Sequence, residues 1–197
     1  GVSLHIAFIA LHTFTASSLP FQTPYESLSW FACSTAITYL YVSGNLSSRA
    51  LSGEWRDIHL PGVIVSGISM GACLQALLSH SPAVEPLSPA LASYWFEWHT
   101  ALAFFSYAVF VVSASIEAVC LIVKPFVKRG RHIYGLTANA IDELQTTAFK
   151  LVAMGFPLLT FAVLSGAAWA NEAWGKYWSW DPKETWLLIT WTVFAVY

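Results

Sequence analysis

Six apolar runs divide the chain, at about residues 1–18, 24–43, 60–79, 95–123, 144–168 and 185–197. Each run is continuous rather than alternating, so the pattern predicts helices and not the strands of a lipid-facing barrel. A helix needs about 20 apolar residues to cross the hydrocarbon core, and the four middle runs reach that length. The first and last are short, as expected of a piece of a longer protein cut at both ends. The pattern therefore predicts an all-α fold: a polytopic membrane helical bundle of about six transmembrane segments, forming one membrane-embedded domain over 1–197. The run at 95–123 is longer than the lipid requires, so its start should project beyond it.

One stretch interrupts this pattern. Between the last two runs lies Trp169-Ala-Asn-Glu-Ala-Trp-Gly-Lys-Tyr-Trp-Ser-Trp-Asp-Pro-Lys-Glu-Thr-Trp186, with five of the ten tryptophans in 18 residues. It is too polar to cross a bilayer and unusually aromatic for a connection. The expectation is a tryptophan-rich loop or short helix at the membrane surface that offers a platform to a flat, aromatic, anionic ligand.

Composition supports the membrane assignment. The chain is 56% hydrophobic and 10% charged, with mean hydropathy +0.58, whereas soluble domains carry about a quarter charged residues. The net charge of −2 gives no reason to expect nucleic acid. Cys33, Cys73 and Cys120 are far apart in apolar runs and read as small buried hydrophobes. Orientation follows from Lys and Arg. Loop 44–59 carries Arg49 and Arg56, and loop 124–142 carries Lys124, Lys128, Arg129 and Arg131, so both are expected on the cytoplasmic side. The tryptophan-rich stretch then falls outside, and Lys176 and Lys183 within it suit an anion. Glu117 and Lys150 interrupt apolar runs about 10 Å from the same helix ends. Either they pair across two helices or Lys150 reaches to the surface. Gly67-Ile-Ser-Met-Gly71 is a G-x-x-x-G pattern expected at a helix–helix contact.

Several histidines and tryptophans are candidates for a haem site. Trp95, Trp98, His99 and Leu102 fall on one helical face beside the outer boundary. Haem offers a π face to tryptophan, propionates to lysine or backbone N–H, and iron to histidine. His99 has the best depth for an axial ligand, while Trp95 and Trp98 read equally well as an interfacial belt. His5 and His12 share a face of the first run and serve either haem or polar packing. His80 lies in a Pro-rich outer connection, and His59 and His132 lie in basic loops. Asp181 reads as the cap of the last helix rather than a catalytic group, with Pro182 and Glu184 in its first turn.

The segment Trp169 to Trp186 closely resembles the tryptophan-rich "WWD" signature of haem-handling membrane proteins. The Pro182-Lys183-Glu184-Thr185-Trp186 continuation is similar to the CcsA/ResC-type family of cytochrome c biogenesis, as are Pro24-Tyr25-Glu26-Ser27-Leu28 and Ser165-Gly166-Ala167-Ala168. The resemblance implies a haem-binding component of a cytochrome c synthetase (haem lyase) that handles haem b. It would present the haem on the outer face for covalent attachment to the Cys-x-x-Cys-His motif of apocytochrome c. It implies a CcsB/ResB-type membrane partner and a bacterial inner membrane or thylakoid location, with the signature on the periplasmic or lumenal side. His99 matches the first of two outer haem-ligating histidines, and the second would lie beyond Tyr197. A further membrane histidine is expected just after the signature. His12 is the candidate for an earlier intramembrane one, since Ser17-Ser18-Leu19-Pro20 lacks the His that many relatives have. Trp169, Trp174, Trp178, Trp180 and Trp186 would form the platform, and Asp181 would fix the loop or contact haem or apocytochrome. Two alternatives stay open: a haem transporter or chaperone without lyase activity, and a structural scaffold with interfacial tryptophans.

Overall fold

The computed structural model describes residues 1–16, 21, 23–49, 60–79, 88–130 and 137–197. Among the described residues, six α-helices occur where six apolar runs stand: α1 (Val2–Ala16), α2 (Pro24–Arg49), α3 (Leu60–Leu78), α4 (Tyr94–Lys128), α5 (Ala138–Trp174) and α6 (Pro182–Val196). There is no strand among the described residues. The chain is an all-α membrane bundle. α3, α4 and α5 are long and apolar enough to cross a membrane, and α1 is a shorter apolar helix. His59, His80, His132 and Ser17 to Pro20 lie outside the described residues.

The helix ends follow from local chemistry. Thr23 and Glu26 form reciprocal side-chain-to-backbone bonds at the start of α2, 2.9 Å from the Thr23 N–H to Glu26 Oε2 and 3.2 Å from the Glu26 N–H to Thr23 Oγ1. This capping box satisfies two N–H groups that the helix leaves unpaired. Thr137 caps α5 by accepting from the Ala140 N–H at 3.3 Å. α5 therefore starts six residues before the run expected at 144, and α4 continues through Pro125 to Lys128, past the expected end at 123. The largest departure is at the other end of α5. Trp169 to Trp174 continue the helix, because nothing between Ala167 and Ala173 breaks it, and Gly175 ends it at φ 72°. Only residues 175–181 of the tryptophan-rich stretch are non-helical.

α4 and α5 form the axis of the bundle. They run antiparallel with 35 and 37 residues, about 50 Å each against roughly 30 Å of hydrocarbon. Their antiparallel packing brings the start of α4 and the end of α5 to the same end of the bundle. A ladder joins them along their length. The Ser106 hydroxyl donates to the Gly155 carbonyl at 3.0 Å, the Ser113 hydroxyl to the Ala148 carbonyl at 2.9 Å, and the Cys120 thiol lies 4.0 Å from the Ile141 carbonyl. The rungs recur every seven residues on both helices, the repeat of two helices that wrap with a constant facing seam. Val112, Ile116, Val119, Ile141, Leu144 and Ala148 fill the seam, joined by Val42 of α2 and Val65 of α3. α6 packs on the same pair through Leu187, Trp191 and Phe194. Phe194 stacks on Phe110 at 3.9 Å, and the Trp191 indole donates to Thr160 Oγ1 at 2.9 Å.

Two sequence expectations are corrected here. Glu117 and Lys150 do not pair. The Gln145 amide donates to Glu117 at 3.4 Å and accepts from Lys124 Nζ at 2.7 Å, while Lys150 is exposed. Lys150 lies five residues beyond Gln145, about 140° around the helix, so it cannot share that face. The Gly67–Gly71 pattern also lies away from any contact with the described residues, since a Cβ at either would meet none of them within 4 Å. The close approaches occur at other glycines. A Cβ at Gly155 would stand 2.6 Å from Phe110 Cε1, and one at Gly62 would run into the Tyr39 ring. Gly155→Ala should therefore destabilise the bundle by about 1–3 kcal/mol through overpacking, while Gly71→Ala should leave stability unchanged or slightly raised. Denaturant unfolding in micelles, followed by tryptophan fluorescence, checks both.

Candidate functional site

The start of α4, the end of α5, the 175–181 connection and the first turns of α6 line a cleft of about 200 Å³. His99, Gly166, Trp169, Trp174, Trp178, Asp181 and Lys183 are among its lining residues. A second cleft of about 330 Å³ adjoins it and shares Ala170, Trp174, Asp181 and Glu184, with Lys176 and Ser179 on its far wall.

His99 occupies the next rung of the α4–α5 ladder. It lies seven residues before Ser106, and its Nδ1 is 2.7 Å from the carbonyl of Ala162, seven residues after Gly155. A carbonyl oxygen only accepts, so Nδ1 carries the hydrogen. In the neutral ring Nε2 then holds the lone pair and is the nitrogen able to bind a metal. Two residues of α5 pack against the ring. Trp169 stacks beside it with centroids 6.0 Å apart and planes 18° apart. Gly166 stands so close that a Cβ there would come within 2.6 Å of His99 Nδ1.

Trp169 is itself tied down. Its indole N–H donates to the Ala90 carbonyl at 2.8 Å, and its ring meets Phe96 at 5.1 Å and Trp174 at 4.9 Å. Ser93 caps α4 and also donates to Glu172, a second tie between the same two helix ends. Trp178 meets Trp180 edge-on at 5.9 Å. The Trp178 indole N–H is buried with no hydrogen-bond partner among the described residues. Trp180 precedes the cap of α6 at φ 59°, a left-handed conformation that costs a bulky residue about 1–2 kcal/mol.

Asp181 caps α6. Its Oδ1 accepts from the Glu184 N–H at 2.8 Å, and Glu184 Oε2 accepts from the N–H groups of Ser179 at 2.7 Å and Asp181 at 3.4 Å. Asp181 also lines both clefts, so capping and a place at the site coexist.

The structure thus brings His99, Trp169, Trp174, Trp178 and Asp181 to one cleft. Trp95, Trp98, Trp180 and Trp186 are exposed and are not among its lining residues. Phe96 rather than Trp95 or Trp98 shares the inward face of α4 with His99, because Phe96 and His99 are three apart and both meet Trp169. His12 lies elsewhere, on α1, 3.7 Å from Glu26 of α2, while His5 bonds Ser29 at 2.7 Å. The two histidines do share a face, and that face packs on α2. No group of three or more His, Cys, Asp or Glu side chains suited to a metal ion occurs among the described residues. Sequence reasoning gave no site role to Phe96, Gly166 or Ala162. The available signal was the recurrence of small or polar residues at 99, 106, 113 and 120.

The chain as a whole is similar to known proteins. The sequence profile of the family described as Cytochrome C assembly protein matches residues 2–197. The chain belongs to this cytochrome c assembly protein family. Among similar proteins, the cytochrome c biogenesis protein CcsA of Chlamydomonas reinhardtii is 37% identical over 181 residues, covering 90% of this chain and 48% of the relative. The CcsA protein of Guillardia theta is 33% identical over 90% of this chain and 62% of its own length. That of Gloeothece citriformis is 30% identical over 97% and 70%. The chain thus spans between about half and 70% of the length of these relatives.

The double use of Asp181 can be separated by substitution. Asp181→Ala should destabilise the start of α6 by about 1 kcal/mol, whereas Asp181→Asn should stay within a few tenths, because an amide oxygen still caps. Hydrogen exchange at the Glu184 and Thr185 amides measures the difference.

Proposed function

We propose that this chain serves cytochrome c biogenesis by holding haem b at the cleft between α4, α5 and α6 and presenting it for attachment to apocytochrome c. One observation carries the reading. His99 is tied through Nδ1 to the Ala162 carbonyl at 2.7 Å, which leaves Nε2 for iron, and it lies beside an aromatic wall. A histidine with its second nitrogen bonded to a carbonyl is the usual arrangement behind a metal-bound imidazole.

The residues fit haem on three further counts. Trp174 and Trp178 offer broad apolar faces at the cleft, and the unpartnered Trp178 N–H and the Lys183 ammonium suit carboxylates. The two adjoining clefts together fall within the roughly 300–1,000 Å³ of small-molecule sites. Among the described residues His99 is the one histidine at the cleft, in keeping with a second iron ligand from elsewhere. On this reading Trp95, Trp98, Trp180 and Trp186 form the outer rim at the membrane surface on the periplasmic or lumenal side. Haem supplies the vinyl groups that become thioethers. The contribution of this chain is to hold and orient them for the Cys-x-x-Cys-His segment, which acts through proximity more than acid–base chemistry. A CcsB/ResB-type membrane subunit completes the assembly. The place of His12, beside Glu26 on α2, favours a packing role.

The test uses the full-length protein co-produced with that subunit and an apocytochrome c. His99→Ala should shift the absorption spectrum of the purified protein and reduce covalent haem on the cytochrome by at least about tenfold. Unchanged spectrum and unchanged haem attachment overturn the ligand assignment. A spectrum that shifts while the wild-type protein attaches no haem to the cytochrome points instead to a haem carrier without lyase activity.

A further inference from the structure

Gly166 stands close against the imidazole of His99. A Cβ there would lie 2.6 Å from Nδ1, 2.8 Å from Cε1 and 3.2 Å from Cγ. The nearest atoms belong to the imidazole itself, and the ring has little freedom to give. Its Nδ1 is held 2.7 Å from the Ala162 carbonyl, one turn before Gly166 on α5. Trp169, three residues after Gly166, stacks beside the ring, and its indole is bonded to the Ala90 carbonyl. Three successive positions on one face of α5, Ala162, Gly166 and Trp169, thus fix the tautomer, the approach and the tilt of His99.

The glycine is required by contact and not by backbone conformation, since it lies within regular helix. Gly67 and Gly71 provide the comparison, because a Cβ at either meets none of the described residues within 4 Å. The Ala162 carbonyl also accepts from the Ser165 hydroxyl at 3.1 Å, so this oxygen serves more than its helical partner. A displaced imidazole would leave that rung of the α4–α5 ladder unmade.

We infer that Gly166 is a positioning residue for metal ligation. It admits His99 close enough to α5 for the Ala162 carbonyl to hold the Nδ1–H tautomer, which commits Nε2 to iron. The inference rests on the assignment of His99 as a haem ligand, and it adds that α5, rather than α4 that carries the histidine, decides the ligand geometry.

A double-mutant cycle on the full-length protein, purified with its haem, tests the inference. The readouts are haem per protein and the absorption spectrum of the oxidised and reduced forms. Gly166→Ala should lower haem retention by about tenfold or more, the scale for losing the partner behind a metal-bound histidine, and should shift the spectrum. In a His99→Ala background the same change should have no further effect. Gly67→Ala serves as the control and should match wild type. His99→Nδ1-methylhistidine removes the donor hydrogen while keeping Nε2, and should reproduce the Gly166→Ala spectrum even if that variant folds poorly. Loss of haem on Gly166→Ala in both backgrounds alike would reduce the glycine to packing and overturn the inference. So would wild-type spectra from both Gly166→Ala and the methylhistidine variant. If His99→Ala itself leaves the spectrum unchanged, the ligand assignment fails, and the inference with it.

Discussion

The antiparallel seam between α4 and α5 is the constraint on which the remainder of the structure depends. Four side chains of α4 at seven-residue spacing, His99, Ser106, Ser113 and Cys120, face four carbonyls of α5 at the same spacing. In a bilayer the hydrophobic effect does not hold helices together, so register must come from close packing and interhelical hydrogen bonds. Each such bond contributes only about 0.6 kcal/mol on average. Their value here is that all four are made in a single register. Sliding α5 by one residue would break the ladder and bring side chains against Phe110 and His99 where Gly155 and Gly166 now stand.

The same seam explains where the site is. α4 and α5 exceed the hydrocarbon thickness, and their antiparallel packing brings the start of one and the end of the other together. The last rung at that end is a histidine rather than a serine. The seam thus carries a packing device at three levels and a candidate metal ligand at the fourth. The tryptophan-rich stretch then closes over this end. Its first third continues α5 and holds Trp169 against His99. Its middle turns at Gly175 and Trp180, and its end is fixed by the Asp181–Glu184 box that starts α6.

Much of this was legible in the chain itself. Continuous apolar runs located all six helices, because a span of lipid imposes a length and a polarity that few other constraints mimic. The cap at Asp181 followed from its Pro and Glu neighbours. Pairings between distant residues were not legible. Glu117 and Lys150 stood at matching depths, yet depth says nothing about azimuth, and Gln145 occupies the face that Lys150 does not share. The Gly67–Gly71 pattern matched a packing motif on a helix whose packed face is elsewhere, at Gly62 and Val65.

The sequence by itself determined the membrane bundle, the approximate helix ends, the family and the identity of the aromatic and histidine residues at one end. These depend on local composition, periodicity and capping, which neighbouring residues carry. Tertiary structure alone decided which tryptophans meet His99, which nitrogen of that ring is left for a metal, and that Gly166 makes room for it. Those outcomes depend on the rotation and register of α4 against α5, and residues some 60 positions apart set both.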